Sequence, residues 1–62
     1  MNVIREARKA RSISQGQLAS IIGVTQGAVN QWEHGLTKPR PDKLLLLSEI
    51  LGISVEEILR AG

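Results

Sequence analysis

Apolar residues along this chain recur at intervals of three and four, without the two-residue alternation of a half-buried strand, so the pattern predicts helices throughout. Val3 or Ile4, Ala7 and Ala10 form the first such face, over about Val3 to Arg11, with Asn2 placed to cap it and Ser12 to Ser14 breaking the run. Ser14 then begins Ser-Gln-Gly-Gln, a capping-box arrangement, and predicts a second helix whose apolar face is Leu18, Ala19 and Ile22. Gly23 stops that helix, because glycine accepts the left-handed conformation that other residues resist. Only Val24 separates Gly23 from Thr25, whose hydroxyl can cap a third helix running from Gln26 to about His34, ended by Gly35. Two helices joined by so short a turn must cross steeply. After the loop LTKPR, Pro41 suits the first turn of a fourth helix, which Gly52 closes after Leu51. Ser54-Val55-Glu56-Glu57 is a second capping box and opens a fifth helix over Val55 to Arg60. The expected fold class is all-α, with five short helices.

The third helix has an unusual outer face. At about 100° per residue, Ala28, Val29 and Trp32 fall together as the buried side, while Gln26, Gly27, Asn30, Gln31 and His34 fall together on the other. Surface helices ordinarily present Lys and Glu, whereas this stripe holds amides, a glycine and an imidazole. An amide side chain offers a donor and an acceptor at fixed separation, the geometry that pairs bidentately with the major-groove edge of adenine. Gly27 and Ala28 add little bulk, so the backbone at the helix start can come close to another surface.

Length and composition bound the remaining possibilities. A chain of 62 residues is expected to be one domain, residues 1–62, with an aliphatic core around its single aromatic residue, Trp32. With no Cys and one His, no disulfide and no tetrahedral metal site can be assembled, and no cofactor is expected. No apolar run approaches the roughly 18 residues of a membrane span, and the basic start NVIREARKAR is followed by no stretch of signal-peptide length, so a soluble cytoplasmic chain is expected. An enzyme is not expected. His34 has no Ser or Asp at a motif spacing, Glu56 and Glu57 diverge around a helix, and a phosphate-binding glycine loop is absent. Charge is distributed unevenly: residues 1–43 carry a net +4 and residues 44–62 a net −2, as in a protein whose front faces a polyanion.

The segment SQGQLASIIGVTQGAVNQWEHG resembles the helix-turn-helix of the lambdoid phage repressor and Cro-like family, also called the xenobiotic-response-element family. The resemblance lies in Gln15 at the start of the second helix, Ala19 four positions on, Gly23 in the turn, and Val29 and Trp32 inside the third helix. Ile4, Arg8 and Ile13-Ser14-Gln15 extend it forward, and KPRPDKLLLLSEILGISVEEIL extends it to the end. It implies a compact five-helix lambda-repressor-like domain with the helix-turn-helix at about residues 15–34. It also implies a sequence-specific regulator of transcription, expected to be a repressor, that inserts the third helix in the major groove of double-stranded DNA.

Carried over by position, Gln26, Gly27 and Gln31 occupy base-reading places, and Asn30 shares their stripe. Gly27 departs from the pattern, because it has no side chain with which to read a base. The resemblance puts Gln15 on a DNA phosphate, and Thr25, His34, Thr37, Lys38, Arg40 and Lys43 are the other candidates for backbone contact. It also pairs Arg8 with Glu33, which would tie the first helix to the end of the third. The rival expectation is a protein-binding adaptor or antitoxin on the same fold, which would show an apolar patch in place of the amide stripe.

Relatives bind as pairs, so a homodimer on a palindromic operator is expected, paired either in free solution or only on the DNA. In the fourth helix Leu44, Leu47 and Leu51 form an inward stripe, leaving Leu46 and Ile50 as one apolar ridge unless Ile50 rolls into the core. Leu46 and Ile50, with Ile53 or Leu36 beside them, are the candidates for the contact.

Overall fold

The structure, a computed structural model, describes residues 2–60. It consists of α1 (Val3–Ala10), α2 (Gln15–Ile22), α3 (Gln26–Glu33), α4 (Pro41–Leu51) and α5 (Val55–Arg60), with no strand among the described residues. The five helices surround one aliphatic core in which Leu18, Val29 and Leu47 are wholly buried and Ile4, Ile22 and Leu51 nearly so. Trp32 closes this core from the α3 side. No helix among the described residues is long and apolar enough to cross a membrane.

Local chemistry sets most boundaries. Asn2 Oδ1 accepts from the amides of Ile4 (2.9 Å) and Arg5 (3.2 Å), while its Nδ2 donates to the Trp32 carbonyl at 3.0 Å. One side chain thus caps α1 and fastens it to the end of α3. Ser14 and Gln17 form the reciprocal box at the start of α2, and Ser54 and Glu57 form the other at α5. α1 ends at Ala10, one residue short of the expectation, because Arg11 serves as its C-cap. The left-handed residue that follows is Ser12, at φ 57°, and not a glycine. α3 likewise ends at Glu33, with His34 as its C-cap and Gly35 turning at φ 71°.

One expectation about α4 needs correction. Leu46 and Ile50 do not form an exposed ridge: Ile50 is half-buried against the core, as is Ile53, and Leu46 is only 38% exposed. Ile50 rolls inward because one face of this helix must cover both the central core and the α4–α5 contact. Leu36 (73%) and Leu45 (62%) are the most exposed large apolar side chains among the described residues.

Candidate nucleic-acid interface

The α2–α3 turn fixes how α3 is presented. Gly23, at φ 86°, donates its amide to Ala19 O at 2.8 Å, and Val24 donates to the same carbonyl at 2.9 Å. Thr25 Oγ1 then accepts from Ala28 N at 3.1 Å and starts the next helix. Thr25 therefore serves as a cap, with its hydroxyl proton still available for donation. Burial of Val29 and Trp32 sets the roll of α3, so Gln26, Gly27, Asn30, Gln31 and His34 are all exposed on one side. Gln26 lies beside the start of α2: a Cβ on Gly16 would sit 3.5 Å from its Oε1. A Cβ on Gly27 would meet nothing closer than Thr25 Oγ1 at 3.8 Å, so the fold itself has no need of glycine there.

A buried polar network supports this face. Arg8 Nε donates to Glu33 Oε2 at 2.7 Å and its Nη2 donates to Oε1 at 3.1 Å, a bidentate pair, while Nη1 donates to the Ile13 carbonyl at 2.8 Å. Gln15 Nε2 adds a third donor to Glu33 Oε1 at 3.1 Å and reaches Asn30 Oδ1 at 3.4 Å. Burial alone would raise the Glu33 pKa, but the hydrogen bonds from Arg8 and Gln15 and the charges of Arg8 and Arg5 outweigh it, holding the carboxyl below the usual carboxylate range. The hydrogen bond to Glu33 in turn raises Arg8 above its ordinary value. Gln15, expected on a phosphate, is thus half-buried, with its amide hydrogens directed to Glu33 and Asn30.

The other backbone-contact candidates lie on two flanks of α3. On the loop side, Thr37, Lys38, Arg40 and Lys43 line a cavity of about 510 Å³ with Gln31 and Trp32. Thr37 Oγ1 donates to Gln31 Oε1 at 3.4 Å, and buried Pro39 anchors the loop. The two lysines here are already engaged: Lys38 Nζ donates to Leu59 O at 2.8 Å and Lys43 Nζ to Ile22 O at 3.2 Å. Each ammonium steadies carbonyls at the end of a helix and keeps two further donors.

On the α1 side, His34 and Gln15 border a second cavity, of about 250 Å³, with Arg5, Arg8, Lys9 and Glu33. His34 Nδ1 lies 2.8 Å from Asn30 O, so a protonated Nδ1 donates there. Arg5 and Lys9 were absent from the sequence expectation, although Arg5, Arg8 and Lys9 stand at the three- and four-residue spacings of one helical face. That spacing was the available signal.

A five-helix domain with its second and third helices joined through a left-handed glycine, and with α3 anchored by Val29 and Trp32, is a phage-repressor-like helix-turn-helix domain. The helix-turn-helix family matches residues 4–58, and the chain belongs to that family. It is 39% identical over 57 residues to repressor protein C2 of Salmonella phage P22, covering 92% of this chain and 26% of that protein. It is 36% identical over 56 residues to the uncharacterized HTH-type transcriptional regulator YobD of Bacillus subtilis, covering 90% of this chain and 50% of that protein. The solution structure of the DNA-binding domain of the P22 C2 repressor superposes with a TM-score of 0.80 at 38% identity, over 92% of this chain and 75% of that one. The chain thus spans between a quarter and a half of the length of these two full-length relatives.

Proposed function

We propose that this chain is a sequence-specific double-stranded DNA-binding module of a transcriptional regulator, acting as a repressor, with α3 seated in the major groove. The observation that carries this reading is the exposed, uncharged amide stripe of α3, rigidly presented and flanked on both sides by cations. Gln26 and Gln31 are the base readers, with Asn30 beside them, and Gly27 brings the backbone of the first turn close to the bases. Thr25, His34, Thr37, Lys38, Arg40 and Lys43 face the phosphates, and Gln15, whose side-chain hydrogens go to Glu33 and Asn30, does so with its backbone amide at the start of α2. Lys38 and Lys43 do so with the donors left over from their carbonyl contacts.

Two copies act on palindromic half-sites about 34 Å apart. The Cα extents of one domain are 23 × 22 × 20 Å. With side chains adding about 3 Å on each side, one domain is at most about 29 Å across, so two copies so spaced fall a few ångströms short of touching unless the DNA draws them together. This favours pairing on the DNA over a dimer in free solution, with Leu36 and Leu46 as exposed apolar candidates for the contact.

The test is selection of duplexes from a random library by the purified protein, repeated with Gln26→Ala. A good bidentate contact is worth about 1 to 3 kcal/mol of discrimination. The variant should relax preference at one base position per half-site while binding to mixed-sequence duplex changes little. An equal loss of affinity on every sequence would remove Gln26 from the base-reading set, and failure of the wild type to enrich any sequence would overturn the proposed function.

A further inference from the structure

The cavity between α1 and the end of α3 contains more positive charge than the fold consumes. Arg8 is buried and its charge is paired, by two bonds to Glu33, with a third bond to the Ile13 carbonyl. Glu33, the only acid lining the cavity, is taken by Arg8 and Gln15. Arg5 and Lys9 remain. They stand four residues apart on the same face of α1, an arrangement of like charges that disfavours a helix. Both are exposed, and among the described residues neither side chain donates a hydrogen bond or forms an ion pair. The lysines on the opposite flank differ: Lys38 is bound to Leu59 O at 2.8 Å and Lys43 to Ile22 O at 3.2 Å, with Asp42 Oδ2 at 4.0 Å from the Lys43 nitrogen.

A helix seated in a major groove about 12 Å wide has a phosphate strand on each side. The two cavities lie on opposite flanks of α3, one against the loop and one against α1. We propose that the α1-side cavity holds a backbone phosphate of the adjacent DNA strand, with Arg5 and Lys9 as its cations, and that this flank supplies more of the counterion release than Lys38 and Lys43. The proposal rests on the DNA-binding reading above and adds to it a site built on α1. Asn2 ties α1 to the Trp32 carbonyl, so the helix that carries Arg5 and Lys9 is anchored against the end of α3.

The experiment compares wild type, Arg5→Gln/Lys9→Gln and Lys38→Gln/Lys43→Gln on a short mixed-sequence duplex, between about 50 and 200 mM salt. Glutamine is a good helix former, and circular dichroism with thermal unfolding checks that each variant keeps the wild-type fold. The Arg5/Lys9 variant is expected to flatten the log–log salt slope by at least about 0.9, and by more than the Lys38/Lys43 variant does. Single methylphosphonate substitutions in a selected duplex provide a second readout. One position per bound copy should weaken wild-type binding and leave the Arg5/Lys9 variant unaffected, while the base preference of both stays the same.

An unchanged salt slope in the Arg5/Lys9 variant, or a larger effect from the Lys38/Lys43 pair, overturns the proposal and leaves DNA binding standing. Absence of any wild-type binding overturns both. If inorganic phosphate alone raises the thermal midpoint of wild type but not of the Arg5/Lys9 variant, and the DNA slopes are equal, the cavity is a free-anion site and the strand assignment is wrong.

Discussion

Changing Gly27 to Ala should make this protein more stable and a worse DNA binder, two effects that ordinarily do not come from one small substitution. Gly27 is not among the glycines with positive φ, so alanine can adopt its backbone conformation without strain. The added methyl would find Thr25 Oγ1 at 3.8 Å, an ordinary contact, and no other atom within reach. Restricting the unfolded chain at such a site is worth about 0.4 to 1 kcal/mol. Gly27 is the second residue of α3, near a helix end, so the lower half of that range applies. For a domain of this size each kcal/mol moves the midpoint by about 4 to 8 °C, giving a rise of about 2 to 6 °C. The methyl projects from the exposed face of α3, which the proposed function turns toward the bases. If the first turn packs closely there, forcing in one more carbon costs about 1 to 3 kcal/mol, a loss of affinity from about fivefold to somewhat over a hundredfold. Thermal unfolding followed by the fluorescence of Trp32, the only tryptophan, measures the first effect. Anisotropy titration of a selected duplex measures the second. A midpoint that falls would mean the fold does need glycine at this position. A midpoint that rises with affinity unchanged would mean the start of α3 stays more than a methyl group away from the DNA.

The Arg8–Glu33 pair supports two further predictions. Glu33→Leu leaves a buried guanidinium without its counter-charge, a loss of about 3 to 5 kcal/mol, against a total near 3 to 9 kcal/mol for a chain of this length; urea unfolding should show a variant that has lost about a third or more of its stability, and Arg8→Met/Glu33→Leu should recover most of the loss. A double variant no better than the single one would show that the charge itself is not what matters. Because the folded state holds Glu33 below the usual carboxylate range, its contribution is present above the unfolded carboxylate pKa and is lost as pH falls through the folded value; wild type should therefore lose more of its thermal midpoint below about pH 4 than Glu33→Gln, and parallel pH profiles would count against the pair as the cause.

The features legible in the sequence were those set by neighbours in the chain. Caps at Asn2, Ser14, Thr25 and Ser54 need only a hydroxyl or amide oxygen near the next turn, and Gly23 and Gly52 need only the freedom to take positive φ. Ser12 escaped notice because nothing in its side chain announces a left-handed conformation. Four consecutive leucines in α4 sweep most of the way around the helix, so pattern alone could not divide them, and Leu45 emerged as more exposed than Leu46. The cations were the least legible part of the site. Lys38 and Lys43 lie 21 residues from the carbonyls they hold, and only the folded chain brings those groups together. Arg5 and Lys9 carried a readable spacing but no motif, and their importance depends on Arg8 and Glu33 having neutralised each other.

The same network distinguishes the three amides of α3. Asn30 Oδ1 accepts from Gln15 at 3.4 Å, and Gln31 Oε1 accepts from Thr37 at 3.4 Å. Both side chains therefore turn their oxygens toward the protein and their NH₂ groups outward, where they are donors only. Gln26 makes no side-chain hydrogen bond within the described residues, so nothing holds its oxygen toward the protein and it can present donor and acceptor together to one base. Bidentate pairing with adenine needs both, whereas guanine O6 and N7 or thymine O4 ask only for a donor. Selection should therefore yield adenine at the position lost in Gln26→Ala, and guanine or thymine at the position lost in Gln31→Ala. Thr37→Val, which removes the hydroxyl that orients Gln31, should broaden the second preference toward adenine and leave the first as it was. Adenine at both positions in wild type would show that the contacts from Gln15 and Thr37 do not direct the amides, and that α3 reads bases independently of the residues that surround it.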